Sequence, residues 1–142
     1  MKVFLVADQD GHDLKNILKT HLIEQSHDVE DLTKTPADDF VDSTSLLVEQ
    51  LDEDEKSLGI AIDAYGAGSF IAANKHKNAI VAEISDERTA YMTREHNNAR
   101  IITMGSEIVG TELAKNIATE FLAADYDGGR HQIRVDMLDA MC

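Results

Sequence analysis

The chain has 142 residues, 43% of them hydrophobic, which is enough for a core and too apolar for a disordered segment. Its formal net charge of −14 opposes binding to nucleic acid or to anionic membrane surfaces, so neither is expected as a partner. A single cysteine, Cys142 at the last position, leaves no internal disulfide, and no signal peptide or apolar run near the ~20 residues of a membrane span is evident, so the expected location is cytoplasmic.

Taken in order, Val3 to Ala7 is an apolar run that predicts a first strand, closed by the turn Asp8-Gln9-Asp10-Gly11. Leu14, Ile17, Leu18, His21 and Leu22 recur at helical spacing. His27 to Leu32 predicts a second, more polar strand, and Lys34 to Asp39, with the only proline at Pro36, a loop. Asp42, Ser43 and Thr44 offer N-caps for a helix carrying Leu46, Leu47, Val48 and Leu51. The acidic run Asp52-Glu53-Asp54-Glu55 reads as a solvated end of that helix.

The centre of the chain is Leu58 to Lys75. Leu58 to Ile62 has the apolar continuity of a strand buried on both faces, as in a parallel sheet. Asp63 follows, then a turn with Gly66 and Gly68, then small apolar residues at the start of a helix. Such a turn lets backbone approach a ligand, and the helix start turns unpaired amides toward the same place, which suits an anion or a developing oxyanion. By itself the Gly-x-Gly also describes a tight turn without a ligand.

Ala79 to Ile84 predicts a fourth strand, Ser85 the cap of a short helix over Thr89 to Glu95, and His96-Asn97-Asn98 a turn. Ile101 to Met104 is a fifth strand closed by Gly105. Val109, Leu113, Ile117, Phe121 and Leu122 mark a long helix, Asp127-Gly128-Gly129 a turn, and Ile133, Met137, Leu138 and Met141 the apolar face of a last helix. Strands alternating with helices predict an α/β, Rossmann-like fold: five parallel strands with helices on both faces, in one domain spanning 1–142. The last helix either closes the domain or packs on a neighbouring subunit.

Four groups that could do chemistry fall in loops where strands are expected to end: Asp8 with Gln9 and Asp10; Asp63 with the glycine turn; His96 with Asn97; and Arg130, His131 and Arg134. All five arginines lie in residues 88–142, whose net charge is −2 against −10 for residues 1–57. Arg130 and Arg134, four apart on a helix start, present two guanidinium forks to one side, a match for a phosphate dianion. The same spacing also describes a solvated face. His96 beside two amides could shuttle protons or simply cap a turn. His12, His21, His27 and His76 have no evident polar company. No Cys/His cluster has zinc-ligand spacing, and neither a metal nor a cofactor is expected.

Five motifs together resemble the family that unites type B ribose-5-phosphate isomerases with the subunits of galactose-6-phosphate isomerase. They are Asp8-x-x-Gly11-x-x-Leu14-Lys15, Gly66-Ala67-Gly68 with Ile71 to Lys75, Ser85-Asp86-Glu87-Arg88-x-Ala90, His96-Asn97-Asn98-Ala99, and Gly128-Gly129-Arg130-His131-x-x-Arg134. The resemblance covers essentially the whole chain. It implies an aldose–ketose isomerisation through an enediol(ate), with His96 assisting ring opening and Asn97 steadying the substrate. It also implies that Arg130 and Arg134 grip the 6-phosphate, that the amides of Gly66 to Gly68 face the oxyanion beside Asp8, and that sites lie between subunits.

Two departures qualify this. The family's proton-transfer cysteine, just after the third strand, is here Asp63, and a carboxylate is a weak base beside a thiolate; Tyr65 two residues on is placed to crowd the pocket. The histidine of the family's Asp-His-Ala-Gly is here Gln9. The expectation is therefore a subunit that acts on D-galactose 6-phosphate and D-tagatose 6-phosphate with a homologous B subunit that brings the cysteine. Two other readings use the same residues. One is a receiver-type signalling domain with Asp8 and Asp10 around a phospho-acceptor Asp63; the other is a purely structural subunit.

Overall fold

The computed structural model describes residues 1–142. Strand and helix alternate along the chain: β1 (Lys2–Ala7), α1 (His12–Glu24), β2 (Asp28–Asp31), α2 (Phe40–Glu53), β3 (Leu58–Asp63), α3 (Ala67–Asn74), β4 (Val81–Glu83), α4 (Glu87–Asn97), β5 (Ile101–Gly105), α5 (Thr111–Ala123) and α6 (Gln132–Asp139), with a 3₁₀ turn at Gly129–His131. The five strands form one parallel sheet in the order β2-β1-β3-β5-β4. This is the expected α/β fold with helices on both faces.

Side-chain alternation along the strands decides which residues meet which helices. Val3, Leu5, Ala7, Leu58, Ile60, Ile62, Ile102 and Met104 point to one face, where α1, α4 and α5 cover them. Phe4, Val6, Ala61 and Ile101 point to the other, against Leu47, Val48 and Leu51 of α2 and Ala73 of α3. All six residues of β3 are buried, as its unbroken apolar run requires. Gly59 in β3 leaves the room that Leu47 fills, since a Cβ there would come within 2.7 Å of a Leu47 methyl.

The capping residues differ from those expected. Asp39 caps α2, its carboxylate accepting from the Asp42 amide at 2.9 Å, so the helix starts at Phe40. Ser43 and Thr44 lie inside the helix, and both hydroxyls donate back to the Phe40 carbonyl. Asp86, not Ser85, caps α4 through the Thr89 amide at 2.7 Å, while the Ser85 hydroxyl donates to Glu83. In each case the cap is the aspartate in extended backbone directly before the first helical residue, where its carboxylate reaches the amide three residues on. The outer strands are shorter than predicted: β4 keeps only Val81–Glu83 and β2 only Asp28–Asp31.

A buried ion pair ties the left side of the sheet together. Lys15 Nζ lies 2.9 Å from Asp31 Oδ2 and donates to the Thr33 carbonyl. Thr33 in turn accepts the Ala7 amide on its hydroxyl, and its own amide donates to Asp31. Burial pushes the Asp31 carboxyl up, but the hydrogen bonds from Lys15 and the Thr33 amide outweigh it, so the net shift is downward. His21 likewise has a partner, the Thr119 hydroxyl of α5 at 3.0 Å, and His12 contacts Lys15 and Asn16.

Candidate functional site

The first candidate group gathers where β1, β3 and β5 end. Asp8 is buried and accepts the Gly11 amide at 3.0 Å, which turns the chain into α1. A Cβ on Gly11 would fall on the Ile62 carbonyl, so only glycine lets α1 start this close to β3. Gly66 takes φ +79, and its carbonyl accepts the hydroxyl of buried Thr103 at 2.8 Å. A side chain at Gly105 would run into the Tyr65 backbone, which fixes the turn against the end of β5. The Ser106 amide donates to the Asp63 carbonyl and the Ser106 hydroxyl to the Asp10 carbonyl, both at 2.9 Å, closing the three strand ends into one cradle. Burial raises the Asp8 carboxyl, the Gly11 amide opposes that, and the Asp63 charge adds to the rise. Tyr65 is 63% exposed and stands in solvent instead of crowding this turn.

The second group lies elsewhere. His96 and Asn97 are the last residues of α4, which runs back along the sheet to the start of β5; they are not at a strand's C-terminal end. Asn98, in left-handed backbone at φ 54, ends the helix, and Arg94 holds it by donating to Asn98 Oδ1 at 2.6 Å and to the Ala99 carbonyl. The Thr93 hydroxyl donates to Asn97 Oδ1 at 3.0 Å, which leaves the Asn97 amide nitrogen as the outward donor. The chain after α5 returns to this place: the Asp127 amide donates to the Glu95 carbonyl, and the His131 ring stacks on His96 with centroids 4.1 Å apart. Arg130 and Arg134 follow on the 3₁₀ turn and α6, joined by Arg134 Nη1 to the Arg130 carbonyl at 3.5 Å. Both are exposed, and neither guanidinium makes an ion pair in the chain.

The five arginines thus divide by role. Arg100 donates to the carbonyls of Leu51, Asp54 and Ser57, clasping the end of α2, and Arg94 serves Asn98. Arg88, Arg130 and Arg134 make no ion pair in the chain, and of these three only Arg134 makes a hydrogen bond, to the Arg130 carbonyl. Residue spacing by itself grouped Arg130, His131 and Arg134 but did not join them to His96; only the family resemblance put them in one site. Sequence reasoning also missed Thr93, although the i, i+4 spacing of Thr93 and Asn97 on a helix carries that signal.

The two groups sit at opposite ends of the strands, so at about 3.3 Å per residue the length of β3 and β5, roughly 15–20 Å, separates them. One chain presents two stacked histidines and two arginines at one end and an amide cradle at the other. These are residue types that a sugar-phosphate isomerase would use.

The comparisons with known proteins agree with that class. Residues 3–138 match the Ribose/Galactose Isomerase family, and the chain belongs to it. Among its relatives, galactose-6-phosphate isomerase subunit LacA of Staphylococcus haemolyticus is 61% identical over 142 residues, covering 100% of both chains. The subunit LacA of Streptococcus mutans is 59% identical, again over 100% of both. Among solved structures, ribose 5-phosphate isomerase from Thermotoga maritima superposes with a TM-score of 0.92 at 31% identity, covering 97% of each chain. Ribose-5-phosphate isomerase B of Mycoplasma genitalium with bound ribulose-5-phosphate gives 0.91 at 33% identity, over 97% of this chain and 93% of that one. The receiver reading fails on topology: here β5 lies between β3 and β4, whereas flavodoxin-like domains order their strands 2-1-3-4-5.

Proposed function

We propose that this chain is one subunit of a heteromeric aldose–ketose isomerase that interconverts D-galactose 6-phosphate and D-tagatose 6-phosphate, in lactose and galactose breakdown. The observation that carries the proposal is the His96–His131 stack. It joins the ring-opening histidine to the unpaired Arg130 and Arg134 on one edge, away from the amide cradle. The site is completed by a homologous B subunit, whose strand-end cradle carries the proton-transfer cysteine that Asp63 replaces here.

In this reading Arg130 and Arg134 hold the 6-phosphate through paired guanidinium hydrogen bonds. His96 serves ring opening: the anomeric hydroxyl loses its proton, the C1–O5 bond breaks, and O5 gains a proton. The Asn97 amide, aimed by Thr93, donates to a substrate hydroxyl. The partner's thiolate takes the C2 proton, the enediolate oxygen rests on the partner's turn amides, the O2 hydroxyl proton passes to O1, and the carbon-bound proton returns at C1. Gly66, Gly68 and Asp8 form the equivalent cradle of this chain. The exposed apolar residues Ile133, Met137, Leu138 and Met141 at the C-terminal helix suit packing on a neighbouring subunit.

The test is Arg130→Ala with Arg134→Ala in the mixed complex, followed by conversion of galactose 6-phosphate to tagatose 6-phosphate. A KM raised by about a hundredfold is expected for loss of two charge-assisted contacts. An unchanged KM and turnover would overturn the phosphate assignment. A structural subunit would behave in that second way.

A further inference from the structure

Asp63 is a chemically capable group that the proposed mechanism leaves idle, and its surroundings are unusual. It is 5% exposed, at the end of β3. Its Oδ2 accepts the Ser69 amide in the first turn of α3 at 3.4 Å. The other carboxylate oxygen, Oδ1, is buried without any hydrogen-bond partner in the chain, and so is the hydroxyl of Ser69. A Cβ on Gly68 would lie 3.1 Å from Asp63 Oδ2 and 3.0 Å from the Phe40 ring, so the carboxylate sits directly over the Gly66–Gly68 turn. A residue there for packing alone would not leave a carboxylate oxygen unpaired, at a cost of about 1–3 kcal/mol.

The start of α3 is where an oxyanion would be received, because first-turn amides have no acceptor within their own helix. A negative group is already there. A second one, Asp8, is buried close enough for the Asp63 charge to raise its carboxyl. An enediolate entering this cradle would meet two carboxylates and compete with one of them for the amides.

We propose that the Asp63 carboxylate is a built-in occupant of the anion seat at the start of α3. It bars an enediolate oxygen from this chain's own strand-end cradle and confines the chain's part in turnover to the His96 and arginine edge. This rests on the reading of the chain as a shared-site isomerase subunit. The replacement of cysteine by aspartate is then more than the loss of a base, since it closes the redundant site.

The experiment titrates the full chain with a phosphorylated sugar hydroxamate, a stable mimic of the enediolate, and follows the amide resonances of Ala67, Gly68 and Ser69. The wild-type chain should show no saturable shift at these amides. Asp63→Asn, neutral and of the same shape, should show one, with affinity at least about tenfold higher. Asp63→Ala, which removes the occupant altogether, should show the shift even where the asparagine carbonyl oxygen still accepts from Ser69. Equal titration of the wild type and both variants overturns the proposal, as does failure of both variants to bind while the remaining amide spectrum stays native. The arginine variants in the mixed complex report separately: there the shared-site reading can fail while Asp63 still excludes the mimic, or the reverse.

Discussion

At the scale of single residues, Thr93 and Lys15 carry the sharpest consequences. Thr93 touches no expected substrate atom; it holds the Asn97 carbonyl oxygen and so turns the amide nitrogen outward. Thr93→Val keeps the shape and removes the donor. In the mixed complex it should raise KM by roughly fivefold, the worth of one hydrogen bond, with little change in turnover, and Thr93→Ser should restore it. A purely structural role would lower thermal stability without separating KM from turnover. Lys15→Met would leave Asp31 buried without its closest cation. A loss of about 3 kcal/mol in chemical unfolding is expected.

The pH dependence at the same pair follows from its direction of shift. Asp31 titrates lower in the folded chain than in the unfolded one, so its stabilisation is present above the unfolded carboxylate range. It is lost as pH falls through the folded value. Asp8 is shifted the other way, and its contribution is present at low pH and lost as pH rises through the carboxylate range. Unfolding followed from pH 6 down to about pH 3 should therefore fall more steeply for the wild type than for Asp31→Asn.

At the scale of elements, the helix starts separate what a hydroxyl and a carboxylate do in adjacent positions. Asp86→Ala should cost about 1 kcal/mol by removing the acceptor of the Thr89 amide, whereas Ser85→Ala should cost little. Denaturant midpoints of the two variants decide between them. Ser85 and Asp86 both have cap-forming side chains, so their identities could not rank them. The backbone decides: Asp86 sits in extended conformation immediately before Glu87, which puts its Oδ1 over the Thr89 amide. The same holds at Asp39, three residues ahead of the cap expected at Asp42. The strands were legible for the opposite reason. An unbroken apolar run such as Leu58 to Ile62 has no amphipathic alternative. The polar β2 and the short β4, at the sheet's edges, lost their ends because an edge strand pairs on one side only.

At the scale of the whole molecule, one chain cannot bring its two groups to one sugar, because the strands hold them apart. Alone, the chain should show no conversion of galactose 6-phosphate; with a cysteine-bearing homologue it should be active. Full activity alone would mean that Asp63 or another group serves as base. The α6 stripe belongs to this scale too. Met137→Glu should reduce the size of the mixed complex in sedimentation and lower its activity, with the helical spectrum of the chain unchanged.

By itself the sequence determined the parallel α/β class, because alternating apolar runs and amphipathic segments leave few other ways to bury both. It also determined the inventory of groups: a histidine with amides, two arginines one helical turn apart, and a glycine turn preceded by an aspartate. These are local properties, set by residue type and spacing. Only the tertiary structure decided which groups share a surface. His96 met His131 because the chain after α5 folds back and bonds its Asp127 amide to α4, a contact between residues far apart in sequence. Only the fold separated the free arginines from those clasping backbone, and only the fold placed the Asp63 carboxylate over the first turn of α3. Hydrogen-bond partners of that kind depend on positions set by the packing of the whole sheet, and no local pattern encodes them.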